Sequence, residues 1–181
     1  MIKFSSLCIL TVALLLPAFG QEEKKKRAPA SPPAETSITV DGKTVSIKYA
    51  APSVKGRKIF GEGGLISKDP TFPVWRAGAN SATALHTDVD LDVNGIAVPA
   101  GDYTLFAQVN EAVWTLIVNK QTKQWGLTYN KDNDLGRVKM TMSKPAELVE
   151  TYKMTLTNNG KKAKLQLEWE NTVASVPITV K

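Results

Sequence analysis

Three glycine-containing dipeptides, Asp41-Gly42, Asn94-Gly95 and Asn159-Gly160, each separate two runs of alternating apolar and polar residues. Such dipeptides supply the positive-φ residues that two-residue hairpin turns need. In such a hairpin, paired positions have a constant sum and paired side chains share a face. About Asp41-Gly42, Ile38 opposes Val45, with Val40 and Ile47 on the same face. About Asn94-Gly95, Val93 opposes Ile96 and Leu91 opposes Val98. About Asn159-Gly160, Leu156 opposes Ala163, Met154 opposes Leu165 and Tyr152 opposes Leu167. In every case the apolar residues collect on one side. Agreement between turn chemistry and hydrophobic pattern marks a real hairpin.

Further strand patterns lie between these hairpins. Tyr103, Leu105, Ala107 and Val109 share one face, and Val113 to Val118 is apolar on both, as expected of a central strand. Trp125, Leu127 and Tyr129 alternate, as do Val138, Met140 and Met142 in part. Thr172 to Val180 reads as the last strand, with Pro177 pointing to an edge or a bulge. No window holds a helical period over three turns. About nine or ten short strands predict an all-β fold, an antiparallel β-sandwich, with a β-barrel as the alternative.

The N-terminus has a different character. Lys3 is followed by an apolar run, Leu7 to Leu16, then Pro17 and Ala18-Phe19-Gly20 before Gln21. The run is too short to span a bilayer, and this layout predicts a signal peptide over 1–20, with no transmembrane segment after cleavage. Cys8, the single cysteine, starts the apolar run instead of ending it, which argues against a lipoprotein. The expected location is therefore exported, periplasmic or extracellular, with a domain held by packing and not by disulfides. Residues 21–36 read as a linker: Gln21 to Arg27 is charged and Ala28 to Thr36 is rich in proline and alanine. Residues 37–181 suit one domain. The formal net charge of +6 is scattered, without an aromatic-interleaved basic stripe, so no nucleic-acid partner is expected.

Residues 50–81 break the strand rhythm with eight glycines and prolines. A connection this long is functional or packed down as a compact loop, and Phe60, Leu65, Ile66, Phe72 and Trp75 give it apolar area to pack with. It carries Val54-Lys55-Gly56-Arg57-Lys58-Ile59-Phe60-Gly61 and then Trp75-Arg76-Ala77-Gly78-Ala79-Asn80. Downstream come Val98-Pro99-Ala100-Gly101-Asp102-Tyr103-Thr104-Leu105-Phe106 and Trp114-Thr115-Leu116-Ile117-Val118-Asn119-Lys120. Gln124-Trp125-Gly126, Asp134-Leu135-Gly136-Arg137-Val138 and Leu167-Glu168-Trp169-Glu170 complete the order. In this order and spacing the chain resembles the exported bacterial domain-of-unknown-function family 2911 over about residues 37–181. The resemblance implies a secreted or periplasmic β-rich domain with no established activity and no catalytic residues. Ala77 stands where the pattern leads one to expect a threonine, so no role rests on a hydroxyl there.

The residue chemistry excludes several classes. A Ser-His-Asp triad would have to recruit His86, the only histidine, which alternation places on the surface. One histidine and no cysteine beyond Cys8 make no zinc site. Asp90-x-Asp92-x-Asn94-Gly95 matches half of a calcium loop, but its twelfth position is Gly101 and its flanks are strands. No metal and no cofactor are expected. Glu168 and Glu170 share a strand face beside Trp169, keeping a carbohydrate-active hydrolase with paired carboxylates as the enzymatic alternative. The favoured reading is a non-catalytic binding or scaffolding domain. Its candidate ligand residues are Arg57, Lys58, Trp75, Arg76 and Asn80, suited to stacking on a glycan or binding an anionic small molecule. An envelope protein is the other partner considered. Trp114, Trp125 and Trp169 are expected in the core, and the 50–81 connection is expected to fold over one end or edge of the sandwich.

Overall fold

A computed structural model describes residues 30–181. The expected signal peptide and most of the expected linker lie outside them. The strands are β1 (Pro33–Val40), β2 (Lys43–Ala50), β3 (Val74–Trp75), β4 (Thr83–Thr87), β5 (Leu91–Val93), β6 (Ile96–Val98) and β7 (Gly101–Gln108). They continue as β8 (Thr115–Asn119), β9 (Asp134–Lys139), β10 (Thr141–Ser143), β11 (Val149–Asn159), β12 (Lys162–Glu170) and β13 (Thr172–Val180). Two short 3₁₀ turns, Ile66–Lys68 and Lys131–Asn133, are the helical elements among the described residues. One sheet runs β1-β2-β4-β7-β8-β9, with β3 alongside β7. The other runs β11-β12-β13-β5-β6, with β10 alongside β13. Neither closes into a barrel, so the molecule is the antiparallel sandwich, with several strands of only two or three residues. Strand β1 begins at Pro33, so the last four residues expected in the linker pair with β2 instead.

Two hairpins form in the expected register. Ile38 pairs with Val45 and Leu91 with Val98, and Asp41, Gly42, Asn94 and Gly95 all take positive φ, as type I′ turns require. The third differs. Leu156 pairs with Leu165 and Met154 with Leu167, which places the turn at Gly160-Lys161. Gly160 has φ +57, while Asn159 is the last residue of β11. Glycine at the first turn position suits a type II′ geometry and shifts the register by two. A shift of two keeps every side chain on its face, and Tyr152, Met154, Leu156, Ala163, Leu165 and Leu167 are all buried.

Pro177 lies at neither an edge nor a bulge. Strand β13 pairs with β12 throughout, and on its other side with β10 through Ser175 and with β5 from Thr179. The proline occupies the gap between those two short partners, where a missing N–H breaks no ladder. Chain direction also ties the sheets together: β9 belongs to the first, β10 to the second, with buried Met140 between them.

One core fills the space between the sheets. Its centre is aromatic. Trp75 stacks on Trp169 at 5.7 Å and meets Tyr152, Phe60 and Trp114 edge-on at 5.0, 5.9 and 6.0 Å. The free margin of β11 is covered by side chains and loop backbone from across the sandwich. The Tyr152 N–H donates to the Pro52 carbonyl at 2.8 Å, the Met154 N–H to the Tyr49 hydroxyl at 2.9 Å, and the Leu156 N–H to Thr36 Oγ1 at 2.9 Å.

Candidate functional site

The 50–81 connection packs down as expected, sending Val54, Ile59 and Ile66 into the core. It does not gather the five predicted ligand residues. Trp75 is fully buried, and its indole N–H donates to the Gly78 carbonyl at 3.0 Å. It anchors the core and cannot stack on a ligand, which corrects the sequence expectation. Arg76 Nη2 donates to Asp69 Oδ2 at 2.9 Å in a largely buried ion pair. Arg57 folds back on its own turn, donating to the carbonyls of Ser53 and Val54. Lys58 Nζ donates to the Glu62 carbonyl at 2.7 Å. Only Asn80 lines a large cavity.

The reason is local. Strands β3 and β4 both pair with β7, and Arg76 to Ala82 loop out between them. Ala77 and Asn80 take left-handed φ of +49 and +62 to make that excursion. The loop then meets a second one. The Ala82 N–H donates to the Gln124 carbonyl, and the Gly126 N–H to that of Asn80 at 3.0 Å. A Cβ on Gly126 would lie 2.5 Å from the Asn80 carbonyl oxygen and 2.2 Å from Arg76 Cδ, so the fit demands glycine.

This second loop corrects another expectation. Trp125 to Tyr129 is not a strand, and the Trp125 side chain is 55% exposed instead of core. The loop lies across the outer face of the first sheet. Tyr129 packs edge-on against Phe106 at 5.0 Å, beside Val74 and Ile117. A polar knot secures it. Asn119, fully buried, donates to the Asn130 carbonyl at 3.0 Å and to Asp134 Oδ1 at 2.9 Å, and accepts from the Gln121 N–H at 3.0 Å. The Tyr129 hydroxyl and Arg137 both donate to Asp134 Oδ2 at 2.8 Å. Burial, then the Asp134 carboxylate, pushes the Tyr129 pKa up to about 12.

Between this loop and β1–β2 the outer face of the sheet is left as a groove of about 950 Å³. Its floor is a cross-strand row, Ser46, His86 and Asp102, on β2, β4 and β7. Lys48 flanks the row, and Asn80, Lys123 and Gln124 form the wall. Thr104 Oγ1, also on the floor side, donates to Gln124 Oε1 at 3.3 Å, while Gln124 Nε2 is buried without a protein partner. Apart from Asn80, sequence reading missed these groups as a site. His86 was placed correctly on the surface, but the row follows from strand order, which spacing does not reveal.

His86 is clamped. Its Nδ1 lies 2.8 Å from Asp102 Oδ1 and its Nε2 3.1 Å from Asp88 Oδ1. Carboxylates only accept, so both ring nitrogens are favoured as donors. The Asp102 bond first, then that to Asp88, holds the His86 pKa above its ordinary value. Asp88 is held low by the Thr44 N–H, then by His86. In a serine mechanism Nε2 would take the proton from Ser46, but here it faces Asp88. The other catalytic candidates carry structural bonds: Glu168 pairs with Lys153 at 2.9 Å, and Glu170 accepts from the Ile59 N–H at 3.3 Å. The half calcium loop is likewise engaged, Asp90 accepting from the Ala100 N–H and Asp92 from that of Gly95. No group of three metal-ligating side chains occurs among the described residues.

The knot at Asn119, Asp134 and Arg137, the Gly126 contact and the Trp75–Trp169 stack are made by residues of the ordered motifs on which the family resemblance rests. The family model for the protein of unknown function DUF2911 matches residues 31–178. The chain belongs to this family. In this DUF2911 domain those motif residues hold loops to sheets and join the two sheets in the core. No curated protein and no solved structure matches the chain significantly. No helix among the described residues is long and apolar enough to cross a membrane.

Proposed function

We propose that the protein is an exported, non-catalytic binding domain of the periplasm or cell envelope, and that the outer-face groove holds its ligand. The ligand class is an anion carried among hydroxyls, as in an acidic glycan or a smaller organic acid. One observation carries the reading: the groove's charged lining is Lys48, Lys123, His86 and Asp102, and Asp102 is already bonded to His86. Lys48 also lies 4.0 Å from Glu35 and His86 also meets Asp88, so Lys123 is the lining cation without an ion-pair partner among the described residues, and Asn80, Ser81, Thr122 and Gln124 offer neutral hydrogen bonds beside it. Export rests on the Leu7–Leu16 run and the Ala18-Phe19-Gly20 site.

Calorimetric titration with oligogalacturonate, neutral cello-oligosaccharide and inorganic phosphate tests the site. Oligogalacturonate should bind and the neutral sugar should not. The Lys48→Ala/Lys123→Ala pair should weaken the acid by about tenfold or more without changing the melting temperature. Phosphate binding without oligogalacturonate binding would assign the groove to small anions. Silence from both, or an unaffected double variant, overturns the reading and leaves scaffolding of an envelope protein in its place. Mass spectrometry of exported material should find Gln21 at the N-terminus. A retained Leu7–Leu16 run would refute cleavage.

A further inference from the structure

We propose that a second cavity, under the long connection, binds a small apolar molecule bearing a positively charged amine. The cavity holds about 730 Å³ and shares no lining residue with the groove, so it stands independently of the function proposed above. Its volume falls in the range of small-molecule sites, roughly 300–1,000 Å³. Its floor is apolar, built from Phe60, Ile66, Val109, Trp114 and Met142.

Two further observations point to an occupant. The first is exposed apolar area. Phe72, on the cavity lining, is 48% exposed, and Val113, next to Trp114 in sequence, is 37% exposed. Burying such a ring gains about 25 cal/mol per Å² of apolar area. An apolar body seated against Phe72 would cover its ring.

The second is charge. Glu62 and Glu111 line the cavity, and no lysine, arginine or histidine does. Among the described residues neither carboxylate has an ion-pair partner. The neighbouring cation, Lys58, is held on the backbone carbonyl of Glu62 and paired with neither carboxylate, so two carboxylates face one adjacent ammonium. An amine is attracted to this lining, a carboxylate is repelled, and a neutral molecule gains only from burial.

Three compounds with one body and different heads separate these terms: 4-phenylbutylamine, 4-phenylbutanol and 4-phenylbutyrate. Binding is read by calorimetry and by tryptophan fluorescence on the full mature chain. The amine should saturate and bind about tenfold tighter than the acid, with the alcohol between. Glu62→Gln/Glu111→Gln should abolish the preference for the amine while keeping alcohol binding. Phe72→Ser should weaken all three. Circular dichroism of these surface variants should match that of the parent, and Lys123→Ala, in the groove, should bind the amine as the parent does. Equal binding of the three heads, no saturable binding, or a preference that survives the double glutamine variant overturns the proposal.

Discussion

Trp75 and Trp125 both belong to the motifs on which the family resemblance rests, yet the fold uses them in opposite ways, and truncating each to alanine separates the two uses. Trp75 is fully buried and touches four other aromatic rings. A tryptophan buries about 150–250 Å², which at about 25 cal/mol per Å² corresponds to about 4–6 kcal/mol. Alanine retains part of that area, and measured losses for large aromatic truncations run at about 3–5 kcal/mol. With a urea slope of about 2 kcal/mol per molar, Trp75→Ala should lower the unfolding midpoint by about 2 M. Trp125 is 55% exposed, and Trp125→Ala should cost about 0.5 kcal/mol or less, as surface changes do. Far-UV circular dichroism is the suitable signal, since both variants alter tryptophan emission. If Trp75→Ala does not fold, Trp75→Phe keeps a ring, loses the bond to the Gly78 carbonyl, and should show a smaller loss of about 1–2 kcal/mol. A cost below about 1 kcal/mol for Trp75→Ala, or equal costs at both positions, would show that the aromatic centre is not what holds the sheets together.

The His86 clamp makes stability depend on pH. The folded-state pKa is raised, so its contribution is complete below the unfolded value of about 6.5 and is lost as pH rises through the folded value. In low salt the melting temperature of the parent should fall across that window while that of His86→Ala stays flatter. An NMR titration of this single histidine that gives 6.5 or less would remove the basis for this. Asn119→Ala strips three hydrogen bonds from a buried site and should cost about 2–4 kcal/mol, read by urea unfolding. A loss below about 1 kcal/mol would mean that water replaces the amide there.

What the sequence made legible was whatever is decided within one hairpin. Asp41-Gly42 and Asn94-Gly95 dictate their turns because both residues of each pair tolerate positive φ. At Asn159-Gly160 the same glycine serves equally as the second residue of one turn or the first of the next, so the faces were readable and the register was not. The alternation of Trp125, Leu127 and Tyr129 mimics a strand because a loop lying on a sheet also buries some of its side chains and exposes others. The candidate site was least legible. Trp75, Arg76 and Asn80 are close in sequence, but two left-handed residues send them to the core, to Asp69 and to the groove. Ser46, His86 and Asp102 are far apart in sequence and meet only because β4 inserts between β2 and β7.

The covering of β11 bears on how this protein behaves in a crowd. An open strand edge offers alternating donors and acceptors that a strand of another molecule can copy, the first step in runaway assembly. Here Tyr49, Thr36 and the Pro52 carbonyl occupy those positions on β11. A second copy that approached this margin would have to displace bonds already made, for no net gain. The margin is thereby closed to sheet-to-sheet polymerisation, and a sandwich with no cysteine past residue 8 obtains by hydrogen bonding alone a seam that other domains close with a covalent link.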